Sequence, residues 1–408
     1  MRTSNTPTVG FDLKYANLDG LELAIHGTIA DETLVALEAA KAVAAETRGD
    51  APAILGGLTV MVKETGARGG YAYVFSTGED GETWFLHGKS KPEGAWALRV
   101  SINAGAFVQM GYDPSLENLR KHIDARLVNI GFSVVRDPKS GLFESMGRVD
   151  FAFDFRADDF VLDPMAVVSK GSKTGYLEGA TAHWAGRRVT GCTIGKMPNR
   201  QVVIYDKVAD SIAKGKTYWW KVWGLDPEEG ARVWRVELRA GKRHLREVWQ
   251  VKGWDDLAQA LASWVADTLD KVRLVDLIDS NVTRCPDAGL WRALRDAVSN
   301  VMDLSRIYAA PGLIRETTKA RFDAMMRQLL KGVALTHAVV MQGRLDLPRL
   351  LRHVGDVAAD VIAELQSDVI ETLTRAGVAR GRYSLLEDTE WMMRQRARRP
   401  AFGNALAT

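Results

Sequence analysis

Tyr205 sits in the run Gln201-Val-Val-Ile-Tyr-Asp-Lys207, where apolar and polar residues alternate as they do in a half-buried strand. With a two-residue period, Gln201, Val203, Tyr205 and Lys207 share one face, and Val202, Ile204 and Asp206 share the other. Two further stretches follow the same rule. In 148–155, Arg148, Asp150, Ala152 and Asp154 lie opposite Val149, Phe151, Phe153 and Phe155; in 233–239, Arg235, Glu237 and Arg239 lie opposite Trp234, Val236 and Leu238. If the three strands join one antiparallel sheet with its apolar side buried, the other side gathers a tyrosine, three carboxylates, a lysine and three arginines. Such a face suits phosphate and metal chemistry. Asp150, Asp154 and Glu237 are oxygen ligands of the kind that hold Mg2+ or Mn2+. A tyrosine hydroxyl can attack phosphorus while Lys207 or an arginine offsets the developing charge. Asp150 and Asp154 alone stand about 13 Å apart along a strand, so a shared ion requires Glu237 from a neighbour. The competing reading of the same residues is a solvated sheet face laced with salt bridges and carrying an ordinary half-buried tyrosine.

These strands need a scaffold, and 408 residues suffice for two or three domains with a full-sized core. Net charge is only +3, yet residues 181–250 hold fourteen Lys/Arg against seven Asp/Glu. That local excess points to a polyanionic partner. The candidate DNA contacts are the basic residues in or beside the three strands: Arg148, Arg187, Arg188, Lys196, Arg200 and Arg239. Cys192 and Cys285 are the only cysteines, which argues against a disulfide framework and fits a reducing compartment. Without a secretory start or a membrane-length apolar run, the expected location is cytoplasmic, with no membrane partner.

In chain order, residues 1–54 read as an accessory segment with one helix from Asp31, its N-cap, to about Thr47. Short strands at 58–62, 71–76, 83–86 and 95–102 form a meander, and a helix from about 112 to 130 stops before Gly131. Residues 187–206 read as a hairpin. The run Tyr218-Trp-Trp-Lys-Val-Trp223 then leads to the Glu237 strand and to helices near 241–250 and 254–274. Trp219, Trp220, Trp223 and Trp234, interleaved with Lys216, Lys221 and Arg232, either stack unpaired bases or form a satellite core. His183 reads as structural. From about 290 the chain is helical, and no internal repeat is visible. The expected domains are 1–54, a catalytic unit 55–295, and a helical unit 296–408.

As an ordered set, Arg148-Val-Asp-x-Ala-x-Asp154, Gly191-x-Thr-x-Gly195, Ile204-Tyr-Asp-Lys207 and Trp234-Arg-Val-Glu-Leu-Arg239 resemble the replication initiation factor family. That family comprises rolling-circle plasmid initiators of the Rep_trans type and related relaxases of integrative conjugative elements. The resemblance covers about residues 55–295, including Asp279-Ser-Asn281 and Leu290-Trp291. The family's aromatic between Thr193 and Gly195 is missing here. The resemblance implies an α+β fold: an antiparallel-sheet nicking domain related to the HUH endonucleases, with carboxylates in place of their histidine pair, followed by a helical C-terminal domain. It implies that Tyr205 is the nucleophile, that Asp150, Asp154 and Glu237 bind Mg2+ or Mn2+, and that Lys207 and Arg235 contact phosphate. The expected function is nicking of one strand at a replication origin, leaving a 5′ phosphotyrosine and a free 3′ hydroxyl. A conjugative relaxase shares that chemistry; a non-catalytic origin- or operator-binding protein is the reading from another class. Expected partners are origin duplex and single-stranded DNA, a helicase and a second copy of the chain. Duplex recognition is assigned to the segment after about residue 300, including the arginines between Arg375 and Arg399.

Overall fold

Two long antiparallel strands, β1 (Asp12–Ile25) and β9 (Glu144–Arg156), form the middle of an eleven-stranded sheet. The computed structural model describes residues 10–78, 81–88, 95–109, 116–169, 180–301, 313–340, 343–344 and 346–364. From β1 the chain runs through β2 (Gly27–Ile29) and α1 (Asp31–Thr47) to the sheet's outer edge. It returns inward as β3 (Ala51–Leu55), β4 (Leu58–Val62), β5 (Tyr71–Ser76), β6 (Thr83–His87) and β7 (Leu98–Asn103), and β7 pairs with β1. The helices α2 (Ala104–Gln109) and α3 (Leu116–Asn129) follow, then β8 (Phe132–Val134), which pairs with β2.

The second half repeats this path. From β9 the chain passes through β10 (Val167–Ser169) to the opposite edge and returns as β11 (Ala180–Ala185), β12 (Arg188–Gly195) and β13 (Arg200–Asp206). Two short helices, α4 (Lys207–Ala213) and α5 (Trp219–Trp223), precede β14 (Val233–Gly241), which pairs with β9. After α6 (Lys242–Glu247) and α7 (Trp254–Lys271) come β15 (Val272–Leu274), paired with β10, and α8 (Gly289–Val301). The strand order is β11-β12-β13-β14-β9-β1-β7-β6-β5-β4-β3, and every neighbouring pair is antiparallel. Each half is therefore a long strand, an excursion to one edge, a meander back and a closing helix, and α3 packs on α7. No residue-level repeat betrays this, because the halves share connectivity and not side chains.

The fold is α+β with a large antiparallel sheet, as expected, but its boundaries differ. The opening segment is not accessory, since β1 is a central strand. Its period-two pattern is broken by register shifts at Leu13/Tyr15, Leu18/Gly20 and Glu22/Leu23, which hide it from an alternation search. Ala30 occupies the N-cap of α1, so Asp31 lies in the first turn, where its charge meets the helix's positive end. The meander, the hairpin at 187–206 and the end of α3 at Gly131 (φ +67°) agree with the sequence reading. At the other end, α8 buries Trp291, Leu294 and Val298 in the main core, so the sheet unit extends past 295. Beyond it lie α9 (Leu313–Val340) and α10 (Leu347–Glu364); the arginines from Arg375 onward fall outside the described residues. No described helix is long and apolar enough to cross a membrane.

One sheet face is apolar and covered by helices. Phe151, Phe153 and Phe155 of β9, Trp234, Val236 and Leu238 of β14, and Val202 and Ile204 of β13 pack against Leu257, Leu261 and Trp264 of α7. Each such side chain contributes roughly 1.5–3 kcal/mol by leaving water. Cys192 and Cys285 are both free and buried.

A charged network fastens α3 to the β5–β6 connection. Glu82 is fully buried, 2.5 Å from His122 Nε2, accepts a hydrogen bond from the Thr77 hydroxyl, and lies 3.7 Å from Arg126 Nε. Burial alone would raise its pKa, but the hydrogen bond and charge of His122, then Arg126 and Thr77, outweigh it and hold the carboxyl at about 2, against an ordinary 4.5. This depressed pKa stabilises the folded protein above about pH 4.5, and that stability is lost as pH falls toward 2. The shift corresponds to about 3 kcal/mol. Urea unfolding of Glu82→Gln between pH 6 and 3 is expected to show lower stability at pH 6 and a flattened acid limb; an acid limb identical to that of the parent would exclude Glu82 as its source.

Candidate functional site

The register brings the three predicted strands side by side. Across β9, β14 and β13, Asp154 faces Arg235, which faces Tyr205; Ala152 faces Glu237, which faces Val203; and Asp150 faces Arg239, which faces Gln201. Arg148, Asp150, Asp154, Arg235, Glu237, Arg239 and Tyr205 thus project from the face opposite the core. They divide into two environments.

Asp154 and Arg235 are sealed. Both are fully buried, and Arg235 donates from Nε to Asp154 Oδ1 (2.6 Å) and from Nη2 to Oδ2 (2.8 Å), while Nη1 reaches Asp19. Trp223 Nε1 adds a third bond to Asp154 at 2.8 Å. The guanidinium also lies 4.4 Å from the Trp219 ring and 5.5 Å from that of Tyr15. The tryptophans of α5 cause this closure: Trp219, Trp220 and Trp223 form a second apolar cluster with Tyr15 of β1 and Val108 of α2 over this corner of the sheet. Two expectations are corrected. Asp154 has no access to an external ion, and Arg235 has none to phosphate. Among the described residues no three His, Cys, Asp or Glu side chains form a metal-sized group, so the three-carboxylate cluster does not assemble. The tryptophans are core, Trp234 included, since it packs on the opposite face.

Tyr205, Glu237 and Asp150 make the second environment. Tyr205 is half-buried and its hydroxyl donates to Glu237 Oε2 at 3.4 Å. Burial raises the phenol pKa well above its ordinary value; Arg235 opposes this, and Glu237, Asp19 and Asp210 add to it. The resting side chain is a neutral donor. Glu237 is buried yet kept ionised by Arg239, whose Nε donates to Oε1 at 2.7 Å. Asp150 sits diagonally across from Glu237 and is held by Arg148 Nε at 2.9 Å. Burial, and the charge of Glu237 against the pull of Arg148, push Asp150 up to about 7. The two carboxylates therefore compete for one negative charge. Lys207 is buried at the start of α4, bonded to Asp210 at 2.9 Å, with Nζ 5.5 Å from the Tyr205 ring centroid and 5.1 Å from that of Trp219. It stays on the tyrosine's side although the strand ends at Asp206.

Two glycines open space here. A Cβ on Gly20 of β1 would stand 2.8 Å from Asp150 Oδ2, and one on Gly191 of β12 would stand 3.0 Å from the Tyr205 Cβ. β1 also supplies Asp19 and the buried Asn17, which pairs in register with Ala152 in the row that holds Glu237. Sequence reasoning missed these β1 residues because it missed the strand.

Of the predicted ligands, Asp150 and Glu237 stay beside Tyr205; their oxygens are bonded to Arg148, Arg239 and Tyr205, and a divalent ion would have to displace Arg148 from Asp150. Mg2+ commonly uses one or two carboxylates and completes its shell with water and phosphate. The basic residues sort clearly. Arg148 and Arg239 flank the carboxylates and are partly exposed, and Arg187 and Lys196 are exposed at the two ends of β12. Arg188 pairs with Asp206, the N-cap of α4, at 2.8 Å. Arg200 is a correction: one residue out of phase with Gln201, it faces the helical side near Asp267 and His244. His183 is a strand residue bonded to Thr193 Oγ1 at 3.0 Å.

The chain matches no family model, and no curated protein gives a significant match.

Proposed function

We propose that the protein nicks single-stranded DNA at an origin of replication or transfer, using Tyr205 as nucleophile on a sheet related to that of the HUH endonucleases. The observation that carries this reading is the Tyr205 hydroxyl bonded to the ionised Glu237, on a face that also carries the partly exposed Arg148 and Arg239. The phenol is too weak an acid to ionise unaided, so Glu237 Oε2 takes its proton as Oη attacks phosphorus. The new Oη–P bond replaces the P–O3′ bond; the 5′ phosphate stays on Tyr205 and the 3′ oxygen leaves as a hydroxyl once protonated. Lys207, close to the ring, and Arg239, released from Glu237 as that group is protonated, offset charge on the phosphoryl oxygens. Mg2+ or Mn2+, held at Asp150, would supply Lewis-acid polarisation of those oxygens. Attack by a 3′ hydroxyl on the phosphotyrosine reverses the step and closes or transfers the strand. Replication initiation and conjugative transfer both require this reaction.

The test is a pool of end-labelled single-stranded oligonucleotides incubated with the protein and Mn2+, followed by denaturing electrophoresis. A denaturation-resistant adduct is expected with the parent chain and not with Tyr205→Phe. An adduct that persists in Tyr205→Phe would place the nucleophile elsewhere; DNA binding with no adduct in either protein would favour a non-catalytic binder.

A further inference from the structure

The charged face does not end at Asp150. It continues across β1 onto β7, β6 and β5, where Arg99, Phe85 and Tyr71 form one cluster. Arg99 pairs in register with Phe85 on one side and with Ala24 of β1 on the other. Its guanidinium carbon lies 3.9 Å from the Phe85 ring centroid and 5.5 Å from that of Tyr71, and the two rings meet edge to face at 6.0 Å. Glu22 of β1 holds Arg99 Nη1 at 3.4 Å and is itself paired in register with Arg148. All five side chains are part-exposed, Arg99 and Arg148 at 31% each. The helix-covered side of these strands carries the core residues Trp84, Leu86, Leu98 and Val100, so the cluster stands on the other side, with the Tyr205 site.

We infer that Tyr71, Phe85 and Arg99 form a stacking platform that holds unpaired bases of the DNA strand beside the nicking site. The inference rests on the nicking reading. Three observations carry it. Aromatic faces combined with an arginine plane are what sequence-tolerant single-strand binding uses. Position supports it too: Asp150 pairs with Gly20, and Arg99 with Ala24, four residues further along β1 and two strand spacings across. That separation is about 16 Å, a span that a few nucleotides cover. Continuity is the third, because Arg148 lies between the platform and Asp150 and offers the phosphates a cation on the way. Duplex DNA fits less well, since its bases are stacked inward and cannot reach the rings.

Fluorescence anisotropy of the full chain with labelled dT20, in EDTA so that no cleavage occurs, tests this directly. Arg99→Ala and Phe85→Leu are each expected to weaken dT20 binding about tenfold, with little change for a 20-base-pair duplex. Arg99→Ala should also lower the salt slope by about one, while Phe85→Leu leaves the slope unchanged. Urea midpoints identify a variant that fails to fold, and Arg99→Gln then reads the same loss. Unchanged dT20 binding in these variants, or an equal loss on duplex, overturns the platform. The two readings fail separately. Variants that lose dT20 affinity in a protein that forms no tyrosine adduct leave the platform standing and remove nicking; adduct formation with parental dT20 binding in the variants does the reverse.

Discussion

Glu237→Ala is expected to reduce strand cleavage by about a thousandfold while leaving oligonucleotide affinity within about twofold of the parent. Glu237 is the buried carboxylate that accepts the Tyr205 hydrogen bond, and the phenol's raised pKa leaves it dependent on such a base. Binding rests instead on Arg148, Arg239 and the exposed cations, which the substitution leaves in place; loss of the Glu237 partner frees the Arg239 guanidinium for phosphate. Glu237→Gln separates the base from the hydrogen-bond acceptor. It preserves shape and one oxygen but cannot take the proton, so cleavage should fall nearly as far as in the alanine variant. Asp150→Asn is the companion measurement: if Asp150 serves mainly to hold the ion, its loss should be partly overcome by raising Mn2+, whereas the Glu237 variants should not respond. Cleavage at the parental rate in Glu237→Gln would remove Glu237 from proton transfer.

Arg235→Met should instead cost stability, about 3–5 kcal/mol, because it strands Asp154 without its counter-charge in a dry pocket and leaves Asp19 unpaired. The same argument applies to Asp154→Ala, which leaves a fully buried guanidinium with Asp19 alone and removes the acceptor for Trp223 Nε1. Urea unfolding measures both. The double variant Arg235→Met/Asp154→Leu should recover part of the loss, since an apolar pair of similar volume avoids burying charge beneath Trp219. The contrast with Glu237 is diagnostic. An Asp154→Asn protein that unfolds at the parental urea midpoint yet no longer cleaves would return Asp154 to the reaction and overturn its assignment as a buried structural anchor.

Strand alternation by itself determined which side chains of 148–155, 201–206 and 233–239 share a face, because a two-residue period depends on nothing beyond the chain's own pleat. It also sufficed to show that Arg200 and Tyr205 cannot face the same way, although the local basic excess drew Arg200 into the candidate set. The adjacency of the three strands, and the Tyr205–Arg235–Asp154 and Val203–Glu237–Ala152 rows, came from register, which only pairing sets. Tertiary structure alone decided which carboxylates stand beside Tyr205. Asp150 and Asp154 are alike in sequence, four residues apart on the same face, yet the tryptophans of α5 fold over one and leave the other beside Glu237. No local pattern in 148–155 encodes a lid contributed by residues 219–223. β1 was invisible for a related reason: its three register shifts break the alternation that would reveal a strand, and its place between β7 and β9 depends on partners far along the chain. Those same irregularities bring Gly20 opposite Asp150, where the absence of a Cβ leaves room for the carboxylate.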